Sequence, residues 1–331
     1  MSVFSKIRGF FSRHRNKFII GGLLVTSSIF LTRYAQQKLK EWQEKEMLEF
    51  LERTRKQQHF ENIGRTCNQT ILNLASSLTE ALSKVIDTDK IIADLRTNPE
   101  DRVLVWDSLK VLLISKLCCL IYSMSMLVII LRIQLNLIGG YLYKDPSLIS
   151  TDIQEKYLSI TQILLNEGLN KLSVKITEMK QMRLCDIDAL FWSLQTTIGE
   201  SEANPVDKLK DYITLDLGEN IDGNDTYNLL IRDTLDLLES DEVKSLTSQC
   251  VNRGFIQLAN QITDFYVING DSKTKEYHKE EDFNPKKPLA KLLPILNGIL
   301  SKNSFPEKLM QQLVTNEKLQ IFGANIYESL L

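Results

Sequence analysis

The 331-residue sequence is poor in the residues that form turns, with only 14 Gly and 7 Pro. Average proteins carry about twice that combined share, roughly 12%. A sandwich or barrel of many short strands needs many such turns, so this shortage argues against an all-β fold. Lys and Arg number 40 against 42 Asp and Glu. A balance so close to neutral argues against a strongly basic nucleic-acid-binding protein, and we expect no nucleic-acid partner.

Residues that carry catalytic or metal chemistry are also scarce. The five Cys are an odd number without a CxxC pair, so neither a disulfide framework nor a zinc site is predicted. No phosphate-binding loop, dinucleotide fingerprint, HExxH, GxSxG or EF-hand loop occurs. We predict no cofactor, no metal and no catalytic residues, with His59 and the pair Cys118-Cys119 as structural residues. The alternative is an enzyme that uses carboxylates outside any recognisable motif.

The first 34 residues have the pattern of a membrane anchor. Residues 1–17 contain five basic residues and no acid, and residues 18–32 are uncharged up to Arg33. Fifteen helical residues reach about 22 Å, so they cross a hydrocarbon core of ~30 Å only if the flanking cations snorkel. A signal peptide and a buried amphipathic helix are the alternatives, but no small-residue cleavage site follows. We predict a basic tail over 1–17, a transmembrane anchor over 18–34 and an α-helical domain over 35–331.

Beyond the anchor, apolar residues recur at three- and four-residue spacing, and no run alternates like a strand. The predicted fold is an all-α bundle of long helices. Capping patterns start helices after Asp87 and Ser150, the latter with Gln154 in capping-box position. Gly139-Gly140 is expected to end the longest apolar helix. The predicted helices are 35–58, 63–86, 89–96, 102–137, 150–181, 186–200, 205–214, 225–238, 240–267, 288–302, 305–314 and 316–329, with a loop over 215–224 and a polar insertion over 269–287.

The helix over 102–137 contains fifteen uncharged residues between Lys116 and Arg132. A second membrane span is the obvious alternative. The run is shorter than 18 residues, includes serines and lacks interfacial flanks, which favours a central helix buried on all sides.

Trp106 has the sequence context of a partner-binding residue. Arg102 and Lys110 lie four residues before and after it, on one helix face, with Leu109 close by. An indole framed by two cations makes an apolar slot with a basic rim, which suits an amphipathic helix with acidic flanks. A core Trp whose neighbours snorkel into water explains the same spacing. The spacing alone leaves both interpretations open.

Several longer motifs resemble the peroxisomal biogenesis factor three family. They occur in the family's order from one end of the chain to the other and are specific enough to make chance a poor explanation. The motifs are RKQQHFE over 55–61, RTCNQT over 65–70, MLVIILRIQLNLIGGY over 126–141, CVNRGF over 250–255, PLAKLLPI over 288–295 and FGANIYE over 322–328.

The resemblance implies a peroxisomal membrane protein with an N-terminal anchor and a cytosolic α-helical domain. It also implies docking of the cargo receptor peroxin nineteen, with membrane lipid as a second contact and without catalysis. The family's groove residues match Leu95, Arg102, Trp106, Leu109 and Lys110. Arg102 replaces an expected Lys and keeps the charge. The family places the tail in the peroxisome lumen, against the positive-inside rule, which would keep it cytosolic. A helical tether on another organelle is the alternative function.

Overall fold

All the regular structure described is helical, which confirms the predicted fold class. The computed structural model describes residues 3–97, 101–178, 204–213, 225–268, 295–300 and 304–331. Side chains are described from residue 26 onward, except those of residues 96, 102, 178, 263–268 and 304. The predicted helix 186–200, the loop 215–224 and the insertion 269–287 lie outside the described residues.

Most of the predicted helical segments that fall within the described residues are helical. They are α1 Val3–Val85, α2 Asp89–Arg96, α3 Arg102–Lys144, α4 Thr151–Leu158, α5 Ile160–Ile163, a π-helical turn Leu164–Gly168, α6 Leu169–Glu178, a 3₁₀ turn Leu209–Tyr212, α7 Thr226–Glu239, α8 Asp241–Ile268, α9 Ser304–Val314 and α10 Glu317–Ser329. Residues 295–300 are also helical.

The chain divides into two compact units, Met1–Gln58 and His59–Leu331. The first unit consists of the N-terminal part of α1, and every described side chain from residue 26 to 53 is exposed. The second unit contains the rest of α1 and all later helices. The segments 35–58 and 63–86, expected as two helices, form parts of the single helix α1.

The second unit is built around α3. This helix packs against α2, α6, α7, α8, α9 and α10, and every side chain from Leu113 to Gln134 is buried. Its apolar residues make up much of the single core cluster. The interpretation of the 117–131 run as a helix buried on all sides is confirmed, because its residues are enclosed by neighbouring helices.

Several buried polar side chains of α3 bond to protein groups. Ser115 and Ser125 donate to the carbonyls four residues before them, at 2.9 and 2.8 Å. The carboxamide of Gln134 donates to the Tyr157 carbonyl at 2.8 Å and accepts from the Thr161 hydroxyl at 2.5 Å. Buried polar groups cost little when they are hydrogen-bonded, so these contacts let a helix of this length stay in the core.

Further expectations about the helices were wrong. Gly139 and Gly140 do not end α3, which continues to Lys144. A Cβ at Gly139 would lie 2.1 Å from Ile63 Cδ1, and one at Gly140 would lie 2.6 Å from Leu330 Cδ1. These glycines therefore serve helix–helix packing.

The segment 150–181 breaks at Ser159 and contains the π-helical turn. Ser150 does cap α4, since its hydroxyl accepts from the Ile153 N–H at 3.3 Å. Gln154 reaches the Ile149 carbonyl instead of completing the capping box. In the predicted helix 205–214, the described residues 205–213 form turns and the short 3₁₀ helix instead of an α-helix.

Within the described part of the chain, one helix is long and apolar enough to cross a membrane: Val103–Lys144, whose most apolar stretch is fully buried. The side chains of 1–25 lie outside the described residues. The division into tail, anchor 18–34 and body therefore stays a prediction.

Candidate functional site

The predicted partner-binding residues lie where α2 meets the start of α3. Asp87 organises this corner, because its Oδ1 accepts from the N–H groups of Asp89 and Lys90 at 3.0 and 3.4 Å. This side-chain cap starts α2 at Asp89, as the sequence predicted. α2 packs against α3 and places Leu95, half-buried, against the core.

Trp106 lies at the edge between the buried and exposed faces of α3. Its indole is half-buried and packs against the core. One turn earlier on the same face, Val103 is 73% exposed. Leu104, two residues before Trp106 and therefore on another face, is 64% exposed. Leu109, by contrast, is 4% exposed and belongs to the core. A half-buried indole beside the exposed aliphatic side chain of Val103 makes an apolar surface at this corner.

Lys110 forms the basic part of this surface, but not as a free cation. Its ammonium lies 2.5 Å from Asp107 Oδ1, and its side chain is 22% exposed against 56% for the carboxylate. The side chain of Arg102 lies outside the described residues, although its backbone begins α3. Sequence reasoning missed Asp107, for which the i,i+3 spacing to Lys110 was the available signal.

Lys116 is a buried cation near the start of α2. Burial lowers its pKa, and the carboxylates of Asp89 and Asp87 raise it in part. Lys116 is 8% exposed, so most of its stem lies in the core. The lowered pKa means that the ammonium is less favourable in the folded protein than in the unfolded chain.

Lys116→Met is therefore expected to raise the free energy of unfolding at pH 7 by roughly 1 kcal/mol. The cost of the buried ammonium is fully present below the folded-state pKa of Lys116. It disappears as the pH rises past the ordinary lysine pKa of 10.5, which applies in the unfolded chain. Thermal unfolding at pH 7 would measure the change, with Lys84→Met on exposed α1 surface as the control. A lower melting temperature for Lys116→Met than for the wild type would contradict the expected sign.

The other residues singled out from the sequence have structural contacts. His59 Nδ1 lies 2.9 Å from the Tyr327 hydroxyl, and its ring is 5.2 Å from that of Tyr143. Cys118 and Cys119 are fully buried, and burial raises the pKa of the Cys118 thiol to about 12. A thiol with so high a pKa is a poor nucleophile at neutral pH. Among the described residues, no group of three or more His, Cys, Asp or Glu could hold a metal ion.

Comparison with known proteins identifies relatives along nearly the whole chain. The family model named Peroxin-3 matches residues 9–104 and 97–150. Peroxisomal biogenesis factor 3 of Rattus norvegicus is 30% identical, over 97% of this chain and 96% of its own. The human protein of the same name is also 30% identical over the same shares. Peroxisome biogenesis protein 3-2 of Arabidopsis thaliana is 26% identical over 50% of this chain and 53% of its own.

These matches agree with the motifs that first suggested the resemblance. They extend from the N-terminal segment through the helices of the second unit, so one shared motif cannot account for them. The chain belongs to the Peroxin-3 family of peroxisome biogenesis factors.

Proposed function

We propose that this protein is a docking protein of the peroxisomal membrane that captures the cargo-loaded import receptor, peroxin nineteen. An amphipathic helix of the receptor would bind the Trp106 surface, which we define as Leu95, Arg102, Val103, Trp106 and Lys110. The cargo would then pass to the membrane, without catalysis by the docking protein itself. The observation that carries the proposal is the half-buried Trp106 beside the exposed Val103.

The geometry supports a division of roles at this surface. The indole offers a large, rigid apolar contact, which is the property of interface hot spots. Leu109 lies in the core below and would hold the indole in place without touching the partner. Lys110 would pair with an acidic flank of the receptor helix, in exchange for its contact with Asp107.

The direct test is a calorimetric titration of the full chain, in detergent micelles, with a synthetic peptide of the receptor's N-terminal helix. Wild type should bind, and substitution of Trp106 should weaken binding while the helical content stays unchanged. If Trp106→Ala folds and binds like the wild type, the site assignment is wrong. If neither protein binds, the docking function itself is contradicted.

Asp107→Asn is expected to strengthen binding of the same acidic-flanked peptide by up to about fivefold. The change removes a carboxylate that competes for Lys110, and exposed pairs of this kind are worth roughly 0.2–1 kcal/mol. The gain should shrink at high salt. Asp241→Asn, which disrupts a similar i,i+3 pair with Lys244, is the matched control. Weaker binding of Asp107→Asn would show that Asp107 itself contacts the partner.

We include the N-terminal anchor in the proposal, with the helical domain facing the cytosol. Its support is an apolar helix surface in the first unit, where Phe30 is 77% exposed and Leu31 68% exposed. Side chains of this kind are stable in lipid and costly in water.

Removal of residues 1–34 is expected to release the remaining chain into the aqueous phase of a detergent phase separation. The remaining chain lacks the proposed anchor, and its apolar helix α3 is buried. Full-length protein should partition with the detergent. If the truncated chain also partitions with detergent, a surface other than 18–34 contacts the membrane.

A further inference from the structure

The motif CVNRGF at 250–255 presents two polar residues outward from α8. Cys250, Val251 and Phe255 are buried. A Cβ at Gly254 would lie 2.5 Å from Ile121 Cγ2, and the Phe255 ring packs edge-on against Tyr122 at 6.2 Å. These contacts fix one face of α8 against α3. Asn252 and Arg253 are therefore exposed on the opposite side.

That exposed side of α8 is one wall of a cavity of about 880 Å³. The other wall is the end of α9 and the turn into α10. The lining is unusually rich in carboxamides, with Gln249, Asn252, Gln257 and Asn260 on α8 and Gln312 and Asn316 opposite. Ile256, which is 62% exposed, lies among them.

The α8 wall is long enough for a short extended peptide and carries groups that can hydrogen-bond to one. From Gln249 to Asn260 the helix advances about 16 Å, which equals roughly five residues of an extended chain. A carboxamide offers one acceptor and two donor hydrogens, so a row of them can pair with the N–H and C=O groups of a peptide where its atoms are not already bonded. The oxygens of Gln249 and Asn316 already accept from Lys318, at 2.8 and 3.1 Å. Gln257 is 7% exposed, and its Oε1 has no hydrogen-bond partner within the described residues. A peptide N–H would supply the missing donor.

The charges of the lining favour an acidic side chain on the ligand. Arg253 makes no ion pair with any residue that the structure describes. Lys318 already donates to Gln249 Oε1 at 2.8 Å. Glu317 is the one carboxylate in the described lining, against these two cations. Anionic lipid surfaces are usually bound by clusters of four to eight basic residues, which this lining lacks.

We infer that this cavity binds an extended peptide segment of a partner protein, with an acidic side chain at Arg253 and an apolar side chain on Ile256. The site is separate from the Trp106 surface. Gly254 meets α3 at Ile121, which lies about 22 Å along that helix from Trp106. The proposed receptor-binding function can therefore fail while this site stands, and the reverse also holds.

The test uses full-length protein in detergent micelles and an array of acetylated hexapeptides. Each peptide carries one Leu and one Asp among Ala and Ser residues, and the array covers every pair of positions that the Leu and the Asp can occupy. We expect a subset to bind, and the same peptides with Asn in place of Asp to bind at least tenfold more weakly. Arg253→Glu and Ile256→Asp should each lower affinity for this subset at least tenfold. Arg232→Glu and Ile321→Asp, at similarly exposed positions on α7 and α10, should bind as wild type, as should Trp106→Ala.

Three outcomes would overturn the inference. In the first, the wild type and Arg253→Glu bind every peptide of the array equally well or not at all. In the second, the control variants lose as much affinity as the cavity variants, which would mean that the peptides bind outside the cavity. In the third, no peptide binds, but the wild type binds vesicles with 20% phosphatidylserine and Arg253→Glu does not. The cavity would then be a lipid contact.

Discussion

Trp106→Ala should weaken binding of the receptor's N-terminal peptide by about 2 kcal/mol or more, roughly a 30-fold rise in Kd. The indole contributes the largest apolar area of the Trp106 surface, and it is already held against the core before the partner arrives. A rigid aromatic group loses little conformational entropy on binding, so its removal costs most of the contact energy. Isothermal calorimetry of the full chain measures the change directly.

Two variants separate this effect from general damage to the protein. Trp42→Ala removes another Trp, 61% exposed in the first unit, and should leave peptide affinity unchanged. Trp106→Phe keeps an aromatic ring and should recover part of the affinity. The helical signal in circular dichroism should be the same for all four proteins. If Trp42→Ala and Trp106→Ala weaken binding equally, Trp106 is not the anchor of the site.

Gly168→Ala should lower the free energy of unfolding by about 1–3 kcal/mol, as overpacking typically does. Gly168 ends the π-helical turn, and a Cβ there would lie 2.5 Å from the backbone oxygen of Tyr212. A side chain could rotate away from such a contact, but a backbone carbonyl moves only with its segment. The turn or the neighbouring 3₁₀ helix must therefore shift. Thermal unfolding followed by circular dichroism measures the loss.

Gly64→Ala is the matched control and should change stability in the opposite direction. Gly64 lies within α1, and a Cβ there meets nothing within 4 Å. Alanine in a helix interior is favoured over glycine by about 0.5–1 kcal/mol. The two substitutions add the same methyl group, so only their surroundings differ. A stabilised Gly168→Ala variant would mean that the close approach to Tyr212 is absent in solution.

Most of the helices could be predicted from the sequence because their signals are local. The Asp87 cap, the apolar spacing of α7 and the cap of α10 at Asn316 depend on residues within one or two turns. The positions of Trp106 and Lys110 on one face of α3 follow from the same periodicity. The boundaries that were wrong depended on other helices. From the sequence alone, Gly139 is expected to end the helix. In the structure Ile63 packs against it, which explains the glycine within a continuous helix.

The sequence by itself determined the all-α fold, the family and the residues around Trp106, because composition, periodicity and motifs are properties of the chain alone. Only the tertiary structure decided which side chains reach solvent. It placed Leu109 in the core, left Val103 exposed and paired Lys110 with Asp107. It also brought the CVNRGF motif beside the turn after α9, more than fifty residues later in the chain. The scarcity of Gly and Pro suits long helices, but the packing of those helices decided which surfaces remained free.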